Sequence, residues 1–367
     1  MNNIKITSYQ IFSLTTSFTC GSGILVISAT AAGLAKQDAW ISVLLALLFG
    51  LIELLIIYFF WIKYPGITYT DIMTQIFGKW IGSAVSIGFI FFCFLSVSQV
   101  VWYLGSFMTI QVMPETPVYV INILFVATIV IALLYGIETI ARSYEIFVYF
   151  ISALFVLSMV MVLPDAKMNN LLPILEKGAT PVLKGAFELS SFLIFPMTLF
   201  LMVLPVHSDN TARAKKAFFK GYVWGGFLVF ISIIFSILVL GSTVTAISQF
   251  PVYHLAKSIN IGTIFTRLEF IVAGVWIITL LSRGIMYFYA GTVGLAKLLK
   301  LSNHKIIILP LGLIILVNSG IVYTDVIAQS DWDSFVWPPF AATFGVLLPL
   351  SMVLGFYIKK LFKKNNT

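Results

Sequence analysis

Thr19-Cys20-Gly21-Ser22-Gly23 lies midway along an apolar run covering residues 9–34. No charge interrupts the chain between Lys5 and Lys36, and roughly 20 apolar residues suffice to cross a bilayer as a helix. Yet two glycines flanking a serine weaken a helix and let another group approach the backbone closely. Two readings follow. Unwound backbone at the bilayer midplane is where transporters hold small solutes and ions, whereas small residues also make a surface for close helix packing.

Working outward, the same apolar character fills the chain. Of 367 residues, 60% are hydrophobic and 10% charged, with mean hydropathy +1.04, against about 25% charged residues in a soluble domain. Such a chain has too little polar surface to cover a soluble core. An alternating barrel pattern is absent, so helices must satisfy the backbone. The first span is far longer than a secretory signal core and has no small-residue cleavage site, so it is expected to be retained. Cys20 and Cys93 fall inside apolar runs at no metal or redox spacing. No nucleophile–base set, phosphate loop or metal cluster is present, so the chain is not expected to be an enzyme or to carry a cofactor. The net charge of +8 fits basic loops near an anionic lipid leaflet better than nucleic acid.

Hydropathy and breakers place about ten spans: 9–34, 40–62, 80–110, 118–137, 143–163, 185–206, 218–241, 268–290, 304–323 and 336–358. With the amino terminus inside, sixteen of the 22 lysines and arginines fall on the cytoplasmic side, Arg283 counted among them. The last external loop holds Asp325, Asp331 and Asp333 without a basic residue. This asymmetry follows the positive-inside rule and puts both termini in the cytoplasm. Trp40, Trp61, Trp80 and Trp337 near span ends read as interfacial anchors.

Five spans on each side of the long 165–184 loop give opposite orientations, the geometry of an inverted repeat. The chain thus reads as a single membrane domain, 1–367, with a first repeat at 9–163 and a second at 185–358. The second repeat also begins with an interrupted span. Glu188-Leu189-Ser190-Ser191-Phe192 is followed by Phe195-Pro196; a proline removes a donor and frees a carbonyl four residues upstream. Serine hydroxyls can re-satisfy such carbonyls or meet a ligand. A polar niche between the two interruptions is the reading that best joins them.

Short strings then accumulate in order: Tyr64-Pro65-Gly66-Ile67-Thr68, Gly78-Lys79-Trp80-Ile81-Gly82, Pro114-Glu115-Thr116-Pro117 and Gly136-Ile137-Glu138-Thr139-Ile140-Ala141-Arg142. Asn170-Leu171-Leu172-Pro173, Leu204-Pro205, Arg267-Leu268-Glu269 and Gly294-Leu295-Ala296-Lys297 follow. From about residue 5 to 360 this order resembles the B subunit of the GerA-type spore germinant receptors, a branch of the amino acid–polyamine–organocation (APC) transporter superfamily. The resemblance implies a LeuT-like 5+5 fold with broken helices 1 and 6. It further implies a nutrient sensor in the inner spore membrane, acting with an A subunit and a lipoprotein C subunit and binding a small germinant such as an amino acid. Members often carry Pro-x-Gly-Glu in the sixth span; here the residues are Pro196-Met197-Thr198-Leu199, so Leu199 stands where that carboxylate would be.

The candidate ligand residues are Thr19, Gly21, Ser22 and Gly23 in the first span, Ser190 and Ser191 in the sixth, Gln99 in the third, and Trp276 and Thr279 in the eighth. Trp276 is equally readable as packing. Charges within spans cost at least about 2.5–3.5 kcal/mol on insertion scales, so each asks for a reason. Glu53 is either protonated against a polar neighbour or part of a proton path. Glu138 and Arg142, four apart, can pair on a helix, with Glu145 as a second partner. They are either an interface anchor or a positioning device. Arg267 and Glu269, two apart, face different sides and should find partners elsewhere, as a gate or anchor. Arg283, about 24 Å further along that helix, either snorkels to the inner interface or lines an inner vestibule. The expected function is ligand sensing on a transporter scaffold; a proton- or ion-coupled symporter for amino acids or organocations is the alternative.

Overall fold

The computed structural model describes residues 5–21, 23–208, 212–257 and 269–365. Among these, the regular elements are helical, apart from a single parallel bridge between Ile6 and Ser208. Eight helical stretches are long and apolar enough to cross a membrane. One of them, Gly23–Lys63, contains two segments. α2 (Gly23–Ala35) ends at Lys36, whose φ is 52°, and α3 (Ala39–Lys63) turns back, so that both lie against α8 (Ala179–Leu193) and α10 (Ala212–Ile247).

α1 (Ser8–Cys20) precedes α2 and completes the first span. Its start is set by Thr7, whose hydroxyl accepts from Gln10 N while the Gln10 side chain accepts from Thr7 N, a reciprocal cap that satisfies orphan amides. Between α3 and the third span lies α4 (Tyr69–Phe77), capped the same way by Thr68 and Asp71. The intervening helices are α5 (Lys79–Phe107), α6 (Val118–Tyr135) and α7 (Ile137–Val162). The sixth span is α8, a 3-10 segment Phe195–Met202 and α9 (Leu204–His207). After α10 come α11 (Pro251–Lys257), α12 (Glu269–Leu298) and the short α13 (Ile308–Ser319). The last span is α14 (Val326–Asp331), α15 (Trp337–Ala342) and α16 (Leu348–Asn365), joined by π-helical segments Trp332–Val336 and Thr343–Leu347. Grouped in this way, each of the ten predicted spans has a helical counterpart among the described residues, the ninth being the short α13.

Three expectations change. The last span begins at Val326, not 336, because Asp325 caps it: its carboxylate accepts from the amides of Ile327 and Ala328, both at 2.8 Å. Those amides hold the Asp325 carboxyl below the usual carboxylate range. Asp333 therefore lies within the helical bundle, only 8% exposed, rather than in an external loop. Trp61 and Trp337 are not interfacial anchors but buried, their rings packed among phenylalanines, while Trp80 is 86% exposed.

α1 packs on α7, α10 and α12, and α12 packs on α5. Outside this bundle the 165–184 connection is fastened at both ends. Lys167 N and the Asn170 amide reach Leu238 O on α10. Leu175 N donates to Asp38, and Gln37 donates to Pro173 O and Glu176, at the turn between α2 and α3.

Candidate functional site

The two interruptions meet. Pro196 has no amide to offer Phe192 O, and helical bonding stops at Ile194 N, which donates to Ser190 O at 2.9 Å. The carbonyls of Ser191 and Phe192 are left over and both find side-chain donors from distant spans. Trp337 Nε1 donates to Ser191 O at 3.2 Å, and Arg283 Nη2 donates to Phe192 O. In the first span, Gly21 N still donates to Ser17 O, but its own φ and ψ, 10° and −112°, leave the helix. The Thr279 hydroxyl lies 3.3 Å from Gly21 O and 2.9 Å from Trp276 O.

Arg283 is the centre of this junction. It is 2% exposed, and its guanidinium stands 4.9 Å from the Phe18 ring and 5.7 Å from the Tyr287 ring, contacts that favour a desolvated cation. A Cβ on Gly21 would lie 2.7 Å from Arg283 Cδ, so the glycine is what lets the arginine stem pass the break. Arg283 does not snorkel to the interface, as one sequence reading has it; it is buried and bonds the broken sixth span. Its inclusion among the cytoplasmic charges is corrected with it.

Beside the junction is a tight cleft, with room for little more than a water, between Ser96, Gln99, Tyr103, Arg283, Asp333 and Trp337. It is narrow, so a solute of several heavy atoms needs the walls to part. A second, equally tight lobe continues past Tyr103, Phe192 and Asp333 to Val26, Ile27 and Thr30 on α2. Arg283 Nη1 and Gln99 Nε2 are buried and have no hydrogen-bond partner among the described residues. Such orphaned donors are costly, about 1–3 kcal/mol each and more when charged. At the other side Asp333 accepts from Tyr103 and Gln329, both through Oδ2.

The remaining predicted residues distribute as follows. The Thr19, Ser190 and Ser191 hydroxyls donate to carbonyls of their own helices, at Thr15, Ala186 and Glu188, and do not line the cleft. Gly23 is a packing position, where a Cβ would meet Leu193 at 2.8 Å. Trp276 is fully buried with its ring 5.0 Å from that of Phe107, away from the cleft. Glu53 is 3% exposed with Oε1 unpartnered among the described residues. Glu138 and Arg142 pair at 2.5 Å, yet their side chains are 41% and 68% exposed; no bond joins Arg142 to Glu145 among the described residues. Glu269 is 7% exposed at the start of α12. Ser22 and Arg267 lie outside the described residues.

The family model described as "Spore germination protein" matches residues 5–324. The chain belongs to the spore germination protein family. This spore germination protein is 26% identical over 328 residues to "Spore germination protein KB" of Bacillus subtilis (strain 168), covering 89% of this chain and 87% of that one. It is 26% identical over 298 residues to "Spore germination protein YndE" of the same strain, covering 81% and 82%. Among solved structures it is similar to MhsT in complex with L-phenylalanine, with TM-score 0.70, 14% identity and coverage of 96% and 99%. It is also similar to Mhp1, a nucleobase-cation-symport-1 family transporter, with TM-score 0.66, 11% identity and coverage of 89% and 74%. These likenesses establish the LeuT/APC-type fold of this spore germination protein, with its broken first and sixth helices. The family is permease-like rather than enzymatic.

Proposed function

We propose that this protein is the germinant-sensing subunit of a spore germination receptor, and that a small nutrient such as an amino acid binds in the cleft beside Arg283. The observation that carries the reading is a buried, unpaired guanidinium N–H at the meeting point of two interrupted spans. A ligand that satisfies it favours one arrangement of the bundle, and that shift in population is the signal to partner subunits. Converting a 1:99 equilibrium to 99:1 asks for a preference of about 5.5 kcal/mol between the two arrangements. The same reading places the protein in the inner spore membrane with both termini cytoplasmic, two repeats at 9–163 and 185–358, and an A subunit and lipoprotein C subunit as partners.

The alternative, an ion-coupled symporter, shares the fold. In transporters of this architecture unwound carbonyls hold the coupling cation. Here a fixed guanidinium already occupies Phe192 O, which favours sensing without a mobile cation. The test is deletion of this subunit in spores followed by a nutrient screen. One nutrient response should vanish, return with the wild-type chain, and fail to return with R283Q present at equal abundance. Saturable uptake driven by a sodium or proton gradient in vesicles holding the purified chain would instead establish the symporter.

A further inference from the structure

Arg283 and Asp333 line the same cleft from different spans, yet no direct ion pair joins them among the described residues. Each is nearly fully buried, at 2% and 8% exposure, and each borders the cleft. Arg283 Nη1 has no acceptor. Asp333 receives Tyr103 and Gln329 on Oδ2, with the Tyr323 hydroxyl also beside the carboxylate. A group that bridged the two would be favoured, because charge left incompletely paired in a medium of low dielectric is costly. The unpaired Gln99 Nε2 adds a neutral donor in the same cleft. Asp333 sits on a π-helical segment, a local widening of helix often found at functional sites.

We infer that the cleft is a zwitterion clamp, in which the ligand's anionic group meets Arg283 with help from Gln99, and its cationic group meets Asp333. Resting on the sensing reading above, this moves charge recognition from the ends of the broken helices to side chains of the third, eighth and tenth spans. The half-helix carbonyls already accept from Trp337 and Arg283, which leaves each with one lone pair for any further donor. The adjoining lobe, walled by Val26, Ile27 and Phe192, suits a small apolar substituent and offers no further charge for an extended ionic one.

The test is equilibrium binding to the purified full chain in lipid nanodiscs. The probes are the proteinogenic amino acids and, for L-alanine, its two half-charged analogues, L-alaninamide (cation only) and propionate (anion only), with D-glucose as the uncharged probe. At least one zwitterion should bind at least about tenfold more tightly than either half-charged analogue, as expected for one hydrogen bond to a buried charge. This comparison needs no mutant. R283Q should weaken the zwitterion about tenfold or more while moving the amide by less than about twofold, and D333N should weaken both the zwitterion and the amide about tenfold or more while sparing the anion-only analogue. Thermal unfolding confirms that each variant is folded. Equal losses for all probes in both variants would overturn the clamp. If D-glucose binds and W337A abolishes that binding, the sensing reading stands and the clamp falls. If no zwitterion binds the wild-type chain, the clamp falls outright.

Discussion

Gly21→Ala isolates the contact on which the junction depends. A Cβ there would lie 2.7 Å from Arg283 Cδ and 2.8 Å from Phe18 O. The second of these is backbone, so rotating a side chain does not relieve it. Overpacking of this kind costs about 1–3 kcal/mol. Displacing the arginine also loses its bond to Phe192 O, and a bond to a charged group is worth about 1.5–3 kcal/mol. The expected total is about 2.5–6 kcal/mol for one methyl group. Gly33 is the control: it is helical in α2, and a Cβ there meets nothing within 4 Å. Gly33→Ala should be neutral or stabilising by about 0.5–1 kcal/mol. Thermal unfolding in detergent, read by far-ultraviolet circular dichroism, orders the variants, and the double mutant with R283Q completes a cycle. In that background the cost of Gly21→Ala should fall by at least about 1.5 kcal/mol, since the arginine bond is already absent. If Gly21→Ala unfolds with Gly33→Ala, or keeps its full cost beside R283Q, the arginine does not pass through the break as described.

Trp337→Phe keeps the ring stack on Phe92 but leaves Ser191 O without its indole donor. It should destabilise by about 1–3 kcal/mol in the same assay, and an unchanged midpoint would contradict that bond. Arg142→Glu removes an exposed i,i+4 pair, worth about 0.3–0.5 kcal/mol. Its unfolding should therefore stay close to wild type, so that any loss of germination reports assembly or signalling. Normal germination with that change would remove the positioning role, and a large stability loss would refute the view that the pair is peripheral.

Much of the junction could be read from the chain because it follows from local backbone chemistry. Gly21 and Gly23 announce a weak helix, and Pro196 names Phe192 as the residue whose carbonyl is freed. What takes that carbonyl could not be read, since Arg283 lies 91 residues away and hydropathy alone sees a charge near the end of an apolar run. Asp333 was missed for a related reason. Asp331, Trp332 and Asp333 depress the apolar average, so the last span seemed to begin after them. The available signal was the spacing of Gln329, Asp333 and Trp337, four residues apart twice, which aligns them on one helical face. The serine hydroxyls were misplaced because nothing in the sequence separates a hydroxyl that bonds its own preceding turn from one that faces a cavity.

The double fastening of the 165–184 connection bears on how the molecule can move. A strand of chain held by α10 at one end and by the α2–α3 turn at the other has no slack to absorb sliding between those regions. Any rearrangement that separates them must first rupture the Asp38 and Gln37 bonds or drag the connection along. Those few bonds therefore act as a latch, and the order in which they open sets which of the two regions the connection follows.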